Sequence, residues 1–223
     1  MIAKIFLAMS FCIFSVSCRE NNSDKPKQQQ EEQKKEVKKN KSMIFFGDSL
    51  TAGYGLDEPT LAFPGLIQAK LDSANLGYEV VNAGVSGETS SGGVERIDWI
   101  LTKPVDVFIL ELGANDGLRG IPIESTTKNL QTIIDKVKSK NAEAKIILAG
   151  MQVPPNMGQR YSSGFKSMFA ELATKNNIEL IPFLLEGVGG ETKLNQADGI
   201  HPTVEGHKIV AENVWPHILK VVS

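Results

Sequence analysis

Ser49, Asp198 and His201 are side chains whose types and spacing suit nucleophilic chemistry. Ser49 lies in Gly47-Asp48-Ser49-Leu50, directly after a short apolar run, and Asp198 stands three residues before His201 in Asp198-Gly199-Ile200-His201-Pro202. A serine hydroxyl is a weak nucleophile at neutral pH and needs a base within hydrogen-bond reach, a task that suits an imidazole. A carboxylate on the imidazole Nδ1 hydrogen fixes the tautomer and stabilises the imidazolium formed as the proton moves. Attack on a carbonyl places negative charge on its oxygen, where each well-aimed donor is worth roughly a hundredfold or more in rate. Candidate donors are the Ser49 N–H, the Gly84 N–H in Asn82-Ala83-Gly84 and the side-chain amide of Asn115 in Gly113-Ala114-Asn115-Asp116. Gly84 suits the role because the missing Cβ lets its backbone approach closely.

Taken singly, each of these segments is ordinary turn chemistry or a helix start. Their positions on a common scaffold carry the argument. From Met43 onward, short apolar runs alternate with stretches of helical spacing, as in strand-helix-strand units of a parallel sheet. The runs are Met43 to Phe46, Tyr78 to Val81, Val105 to Leu110, Lys145 to Ala149 and Ile178 to Ile181. Phe63, Leu66, Ile67, Leu71 and Ala74 fall on one helical face, and Leu130, Ile133, Ile134 and Val137 on another. Val210, Val214, Ile218 and Val222 recur at four-residue steps, although Pro216 should kink or interrupt that helix. Right-handed connections then give an α/β protein, a three-layer α/β/α sandwich. In such a sheet ligands bind beyond the carboxyl ends of the strands, so the loops carrying Ser49, Gly84, Asn115 and His201 are expected to meet at one crevice.

Other chemistries fit less well. Thr51 stands where a Gly-x-Ser-x-Gly elbow needs its last glycine. His201 and His207 are six apart with no His-Glu-x-x-His pattern, and no Gly-x-Gly-x-x-Gly follows a strand, so neither a zinc site nor a dinucleotide site is supported. The chain has 223 residues and a formal charge of -2; from residue 43 onward 15 basic side chains face 21 acidic ones. That balance argues against a nucleic-acid partner.

Residues 1–17 place Lys4 before an apolar run, Ile5 to Val16, that is too short to span a bilayer and reads as a signal peptide. Cys12 and Cys18 lie outside the folded part, so it has no disulfide framework, thiolate nucleophile or cysteine metal cluster. Residues 18–42 are rich in Lys, Glu, Gln and Asn and read as a flexible tether, leaving 43–223 as one domain. Cys18 after Ser15-Val16-Ser17 resembles the lipobox of bacterial lipoproteins, which implies cleavage before Cys18, its acylation, and an exported protein anchored to a membrane and facing the periplasm or cell surface.

Gly47-Asp48-Ser49-Leu50, Gly84, Gly113-x-Asn115-Asp116 and Asp198-x-x-His201-Pro202 together resemble the four blocks of the GDSL or SGNH hydrolase family. Gly53-Tyr54-Gly55, Phe63-Pro64 and Pro154-Pro155-Asn156 are similar to its thioesterase, lysophospholipase and arylesterase branch. The resemblance implies a flavodoxin-like five-stranded parallel sheet in the order 2-1-3-4-5, a serine esterase mechanism and no cofactor. It carries the roles of nucleophile, donors and base onto Ser49, Gly84, Asn115 and His201.

Substrate follows less directly. Leu118 and Ile121 after Asn115, and Val153, Pro154, Pro155 and Met157 after the fourth strand, form an apolar groove or pack their own loops; Leu118, Pro154 and Pro155 are the candidate substrate contacts. Arg119 either meets an anionic head group or is a solvated charge. Asp48 reads as structural support through local backbone hydrogen bonds, Asp116 as shaping the loop of Asn115, and His207 and His217 as helix-surface residues. Expected substrates are lysophospholipids, acyl thioesters and aryl esters. A carbohydrate O-deacetylase with the same machinery, and a surface-anchored binding domain without catalysis, remain open.

Overall fold

The computed structural model describes residues 41–222. The leader, Cys18 and nearly all of the tether expected from the sequence lie outside these residues. In chain order the elements are β1 (Lys41–Gly47), α1 (Ser49–Ala52), α2 (Phe63–Ser73), β2 (Tyr78–Gly84), α3 (Ser90–Ile100) and β3 (Val107–Glu111). There follow α4 (Ala114–Leu118), α5 (Ile123–Lys140), β4 (Lys145–Ala149), α6 (Gln159–Asn176), β5 (Glu179–Ile181) and α7 (Val204–Val222). The strands form one parallel sheet in the order β2-β1-β3-β4-β5.

Met43, Ile44, Phe45 and Phe46 form a continuous apolar run because β1 is covered on both faces, and all four are buried. Alternation sends Phe45 to the face of α2, where its ring meets Phe63 edge-on at 5.5 Å. Phe46 points the other way, toward α3, whose Gly93 has no room for a Cβ between Leu112 and Phe46. Beside α2 lies α7, while α5 packs between α3 and α6, so helices cover both faces. Leu130, Ile133, Ile134 and Val137 form the buried stripe of α5. Ala74, expected on the buried face of α2, is instead its exposed C-cap. The helix α7 runs through Pro216 without interruption, burying Val210, Val214 and Ile218.

Strand ends position the loops. Gly47 of β1 pairs in register with Gly84 of β2 and with Glu111 of β3, so three strands stop at one level. Arg96 of α3 ties two of these ends together: Nη2 donates to the Ala83 carbonyl at 2.8 Å and to the Gly47 carbonyl at 3.3 Å, and the guanidinium lies 3.9 Å from the centre of the Phe46 ring. Glu88 balances its charge.

Candidate active site

Ser49 is the first residue of α1, directly beyond the end of β1. Asp48 caps the helix, its Oδ1 accepting the Leu50 N–H at 3.0 Å, which leaves the Ser49 N–H without an acceptor among the described residues. Asp198 and His201 sit in the loop between β5 and α7. Asp198 Oδ1 accepts the N–H groups of Ile200 at 2.9 Å and His201 at 3.0 Å, closing a tight turn around Gly199. Its Oδ2 lies 2.6 Å from His201 Nδ1, and His201 Nε2 lies 2.9 Å from Ser49 Oγ. With the Nδ1 proton turned to the carboxylate, Nε2 is left as the acceptor facing the hydroxyl. Hydrogen bonds from His201 hold the Asp198 carboxyl at about 2, so it stays ionised throughout the range in which imidazoles titrate.

Asn115 lies on α4 beyond the end of β3. Its Nδ2 donates to Asp48 Oδ2 at 3.0 Å, which uses one of the two amide hydrogens and fixes the direction of the other. Ser49, Asn115 and His201 line one cavity of about 480 Å³. Leu118 and Pro154 stand on its wall as expected from the sequence, with Val153 beside them; the side chain of Pro155 lies outside the described part of the structure. Met151, Phe183, Leu185 and Ile200 complete an apolar lining.

The GDSL-like lipase/acylhydrolase family model matches residues 45–209. The chain belongs to that family. It is 40% identical to esterase TesA of Pseudomonas aeruginosa over 79% of its own length and 87% of that protein. Identity to the thioesterase 1/protease 1/lysophospholipase L1 of Escherichia coli K12 is 36%, over 77% and 80% of the two chains. Its fold superposes on psychrotrophic esterase EstA from Pseudoalteromonas sp., a structure inhibited by monoethylphosphonate, with a TM-score of 0.75 and 32% identity, covering 81% of this chain and 98% of that one.

Beneath Ser49 the esterase holds a layer that the sequence did not announce. Glu111 reaches from the end of β3 so that its Oε2 accepts the Asp48 N–H at 3.1 Å and the Thr51 hydroxyl at 2.7 Å. Complete burial and the neighbouring Asp48 push its carboxyl well above the usual range, which favours the neutral acid. Burial likewise raises Asp48 to about 6, against the opposing pull of the Leu50 and Asn115 hydrogen bonds. A Cβ on Gly47 would strike Thr51 Oγ1 and Glu111 Oε2, so glycine is needed there for the carboxyl to pass. Asp48 therefore does more than brace local backbone, since it also aims Asn115. Asp116 braces the same helix, its buried carboxylate accepting from the Ser90 N–H at 2.8 Å and the Thr126 hydroxyl at 3.1 Å.

Several expectations change in the esterase. The Gly84 N–H donates to Asn82 Oδ1 at 3.0 Å, and neither Gly84 nor Gly87 lines the cavity. Three residues further on, the Gly87 N–H has no acceptor among the described residues; Gly87 is in a left-handed turn (φ 80°), its carbonyl held by Arg119 Nη2 at 3.0 Å. Arg119 thus makes a backbone contact that neither sequence reading foresaw. Ile121 and Met157 lie away from the cavity, Met157 facing a separate groove between α5 and α6. His207 is buried, not on the surface: Nδ1 accepts the Phe63 N–H at 3.2 Å. His217 is half-buried and pairs with Glu179 at 2.6 Å.

Proposed function

We propose that Ser49 is the nucleophile, His201 the general base and Asp198 the orienting carboxylate of this esterase, and that the acyl group of its substrate lies in the cavity beside them. The observation that carries this reading is the unbroken relay from Asp198 through His201 to Ser49, with contacts of 2.6 and 2.9 Å, at the mouth of an apolar cavity. As Ser49 Oγ attacks the substrate carbonyl carbon, His201 Nε2 takes the hydroxyl proton. Charge moves onto the carbonyl oxygen, toward the Ser49 N–H and the free hydrogen of the Asn115 amide. In place of Gly84, whose N–H is committed to Asn82, the proposed third donor is Gly87 of the same loop, whose N–H has no acceptor among the described residues. Collapse expels the alcohol or thiol, which leaves with the proton from the imidazolium; water, activated by the same base, then releases the acid and restores Ser49.

Carboxylic esters and thioesters are the proposed substrates, with lysophospholipids, acyl thioesters and aryl esters as the natural range. Relatives named as esterase, thioesterase and lysophospholipase support this, as does the apolar lining of Leu118, Val153, Phe183 and Leu185. Export by residues 1–17 and acylation of Cys18 would hold the domain at a membrane on a 22-residue tether, from Arg19 to Asn40, because Lys41 and Ser42 belong to β1; this favours lipid-derived esters. The test is hydrolysis of p-nitrophenyl esters from acetyl to palmitoyl by the native chain and by Ser49→Ala. A rate that peaks at medium or long chains and vanishes in Ser49→Ala is expected. Turnover confined to acetyl would favour a deacetylase, and full activity in Ser49→Ala would overturn the mechanism.

A further inference from the structure

Tyr54 touches both halves of the site. Its N–H donates to the Ser49 carbonyl at 3.0 Å, and its own carbonyl accepts from Gln196 Nε2 at 2.7 Å. Its ring lies on the His201 imidazole, with centroids 4.6 Å apart and planes inclined by 42°. Gln196 belongs to the loop of the base: its N–H donates to the His201 carbonyl at 2.7 Å, and Nε2 also reaches the Pro202 carbonyl at 3.1 Å. Gly55, next to Tyr54, approaches Gln196 so closely that a Cβ there would strike Oε1. One residue is therefore bonded to the peptide of Ser49, in tilted ring contact with His201 and clamped to the loop that carries it.

Core packing does not account for the ring, which is 51% exposed, and its hydroxyl has no hydrogen-bond partner among the described residues. The imidazole, by contrast, has something to gain. Its two hydrogen bonds hold the edge of the ring, and the torsion joining an imidazole to its Cβ is broad, so a contact on its face adds a restraint that those bonds supply only in part. A flat neighbour on one face resists tilting.

We propose that Tyr54 is a positioning residue that holds the His201 ring between Asp198 and Ser49, with Gln196 setting the spacing between the nucleophile's turn and the base's loop. The inference rests on the reading of His201 as the base. Misplacing a reacting group by about 1 Å can cost up to a hundredfold, so loss of the ring contact should lower turnover by roughly tenfold or more.

The experiment measures kcat and KM of the full chain on p-nitrophenyl butyrate and octanoate for the native protein, Tyr54→Ala, Tyr54→Phe and Gln196→Met. Tyr54→Ala is expected to lower kcat on both esters by a similar factor with KM within about twofold, and Tyr54→Phe to restore it, because the ring rather than the hydroxyl does the holding. Gln196→Met should lower kcat in the same manner. A rise in KM with kcat kept, or a loss confined to one ester, would make Tyr54 a substrate contact and overturn the proposal; so would an unchanged kcat in Tyr54→Ala. That variant removes no backbone hydrogen bond and no buried side chain, so it reports even where Gln196→Met folds poorly. A native chain without Ser49-dependent turnover would sink the esterase reading and this one together.

Discussion

His207 keeps its imidazole neutral where a free histidine would be taking up a proton, because burial removes it from water and its Nδ1 must stay an acceptor for the Phe63 N–H. Its folded value, about 4, lies below the ordinary 6.5, so the folded state binds fewer protons than the unfolded one between those limits. Its contribution is therefore complete above about pH 6.5 and is lost as the pH falls toward 4, a total of roughly 3 kcal/mol from the 1.36 kcal/mol carried by each unit. Asp48 works in the opposite direction: its value is raised from 3.8 to about 6, so its penalty appears as the pH rises through that window. Comparison of the native protein with His207→Gln by urea unfolding at several pH values separates the two. The native protein should lose more stability than the variant between pH 6.5 and 4; parallel curves would refute the assignment. Sequence alone misplaced His207, since a lone histidine on a helix gives no sign that a neighbouring helix start needs an acceptor. The meeting of Ser49, Asp198 and His201 was legible because each follows a strand end, where parallel sheets gather their loops.

At the scale of elements, Gly84 has a different task from the one its type suggested. A Cβ there would run into the backbone of Ala52 and the carbonyl of Asp48, so the last residue of β2 must be bare for α1 to seat beside it. Gly84→Ala should therefore displace the helix that carries Ser49. A lower melting temperature together with lost esterase activity is expected; a variant that melts like the native protein and keeps its activity would refute this packing role. The sequence misled here because glycine serves both close packing and close approach to a substrate, and only the register of β2 with β1 separates the two. Periodicity made the stripe of α5 readable, and of the kink or interruption expected at Pro216 the interruption does not occur: α7 runs on with the Glu212 carbonyl lacking its usual N–H partner. The wall formed by Phe183 and Leu185 was not legible, because the three-residue β5 is followed by a turn with no chemically distinctive residue.

For the whole molecule, the candidate site and the proposed membrane address lie in different parts of the sequence. No helix among the described residues is long and apolar enough to cross a membrane; the proposed attachment is a lipid at Cys18. Cys18→Ser should move the protein from the detergent phase to the aqueous phase in Triton X-114 partitioning while leaving kcat on soluble esters unchanged; retention in the detergent phase would refute anchoring at Cys18. Any trimmed form must begin before Lys41, where β1 starts two residues earlier than the apolar run suggests. The separation of Ser49 from His201 by 152 residues also has a consequence in time. A ribosome adding about 5–20 residues per second finishes the segment of the proposed nucleophile roughly 8–30 s before it reaches the proposed base. Until then the growing polypeptide carries the proposed nucleophile without the proposed base, and the contact between them can form only once the loop after β5 has been made.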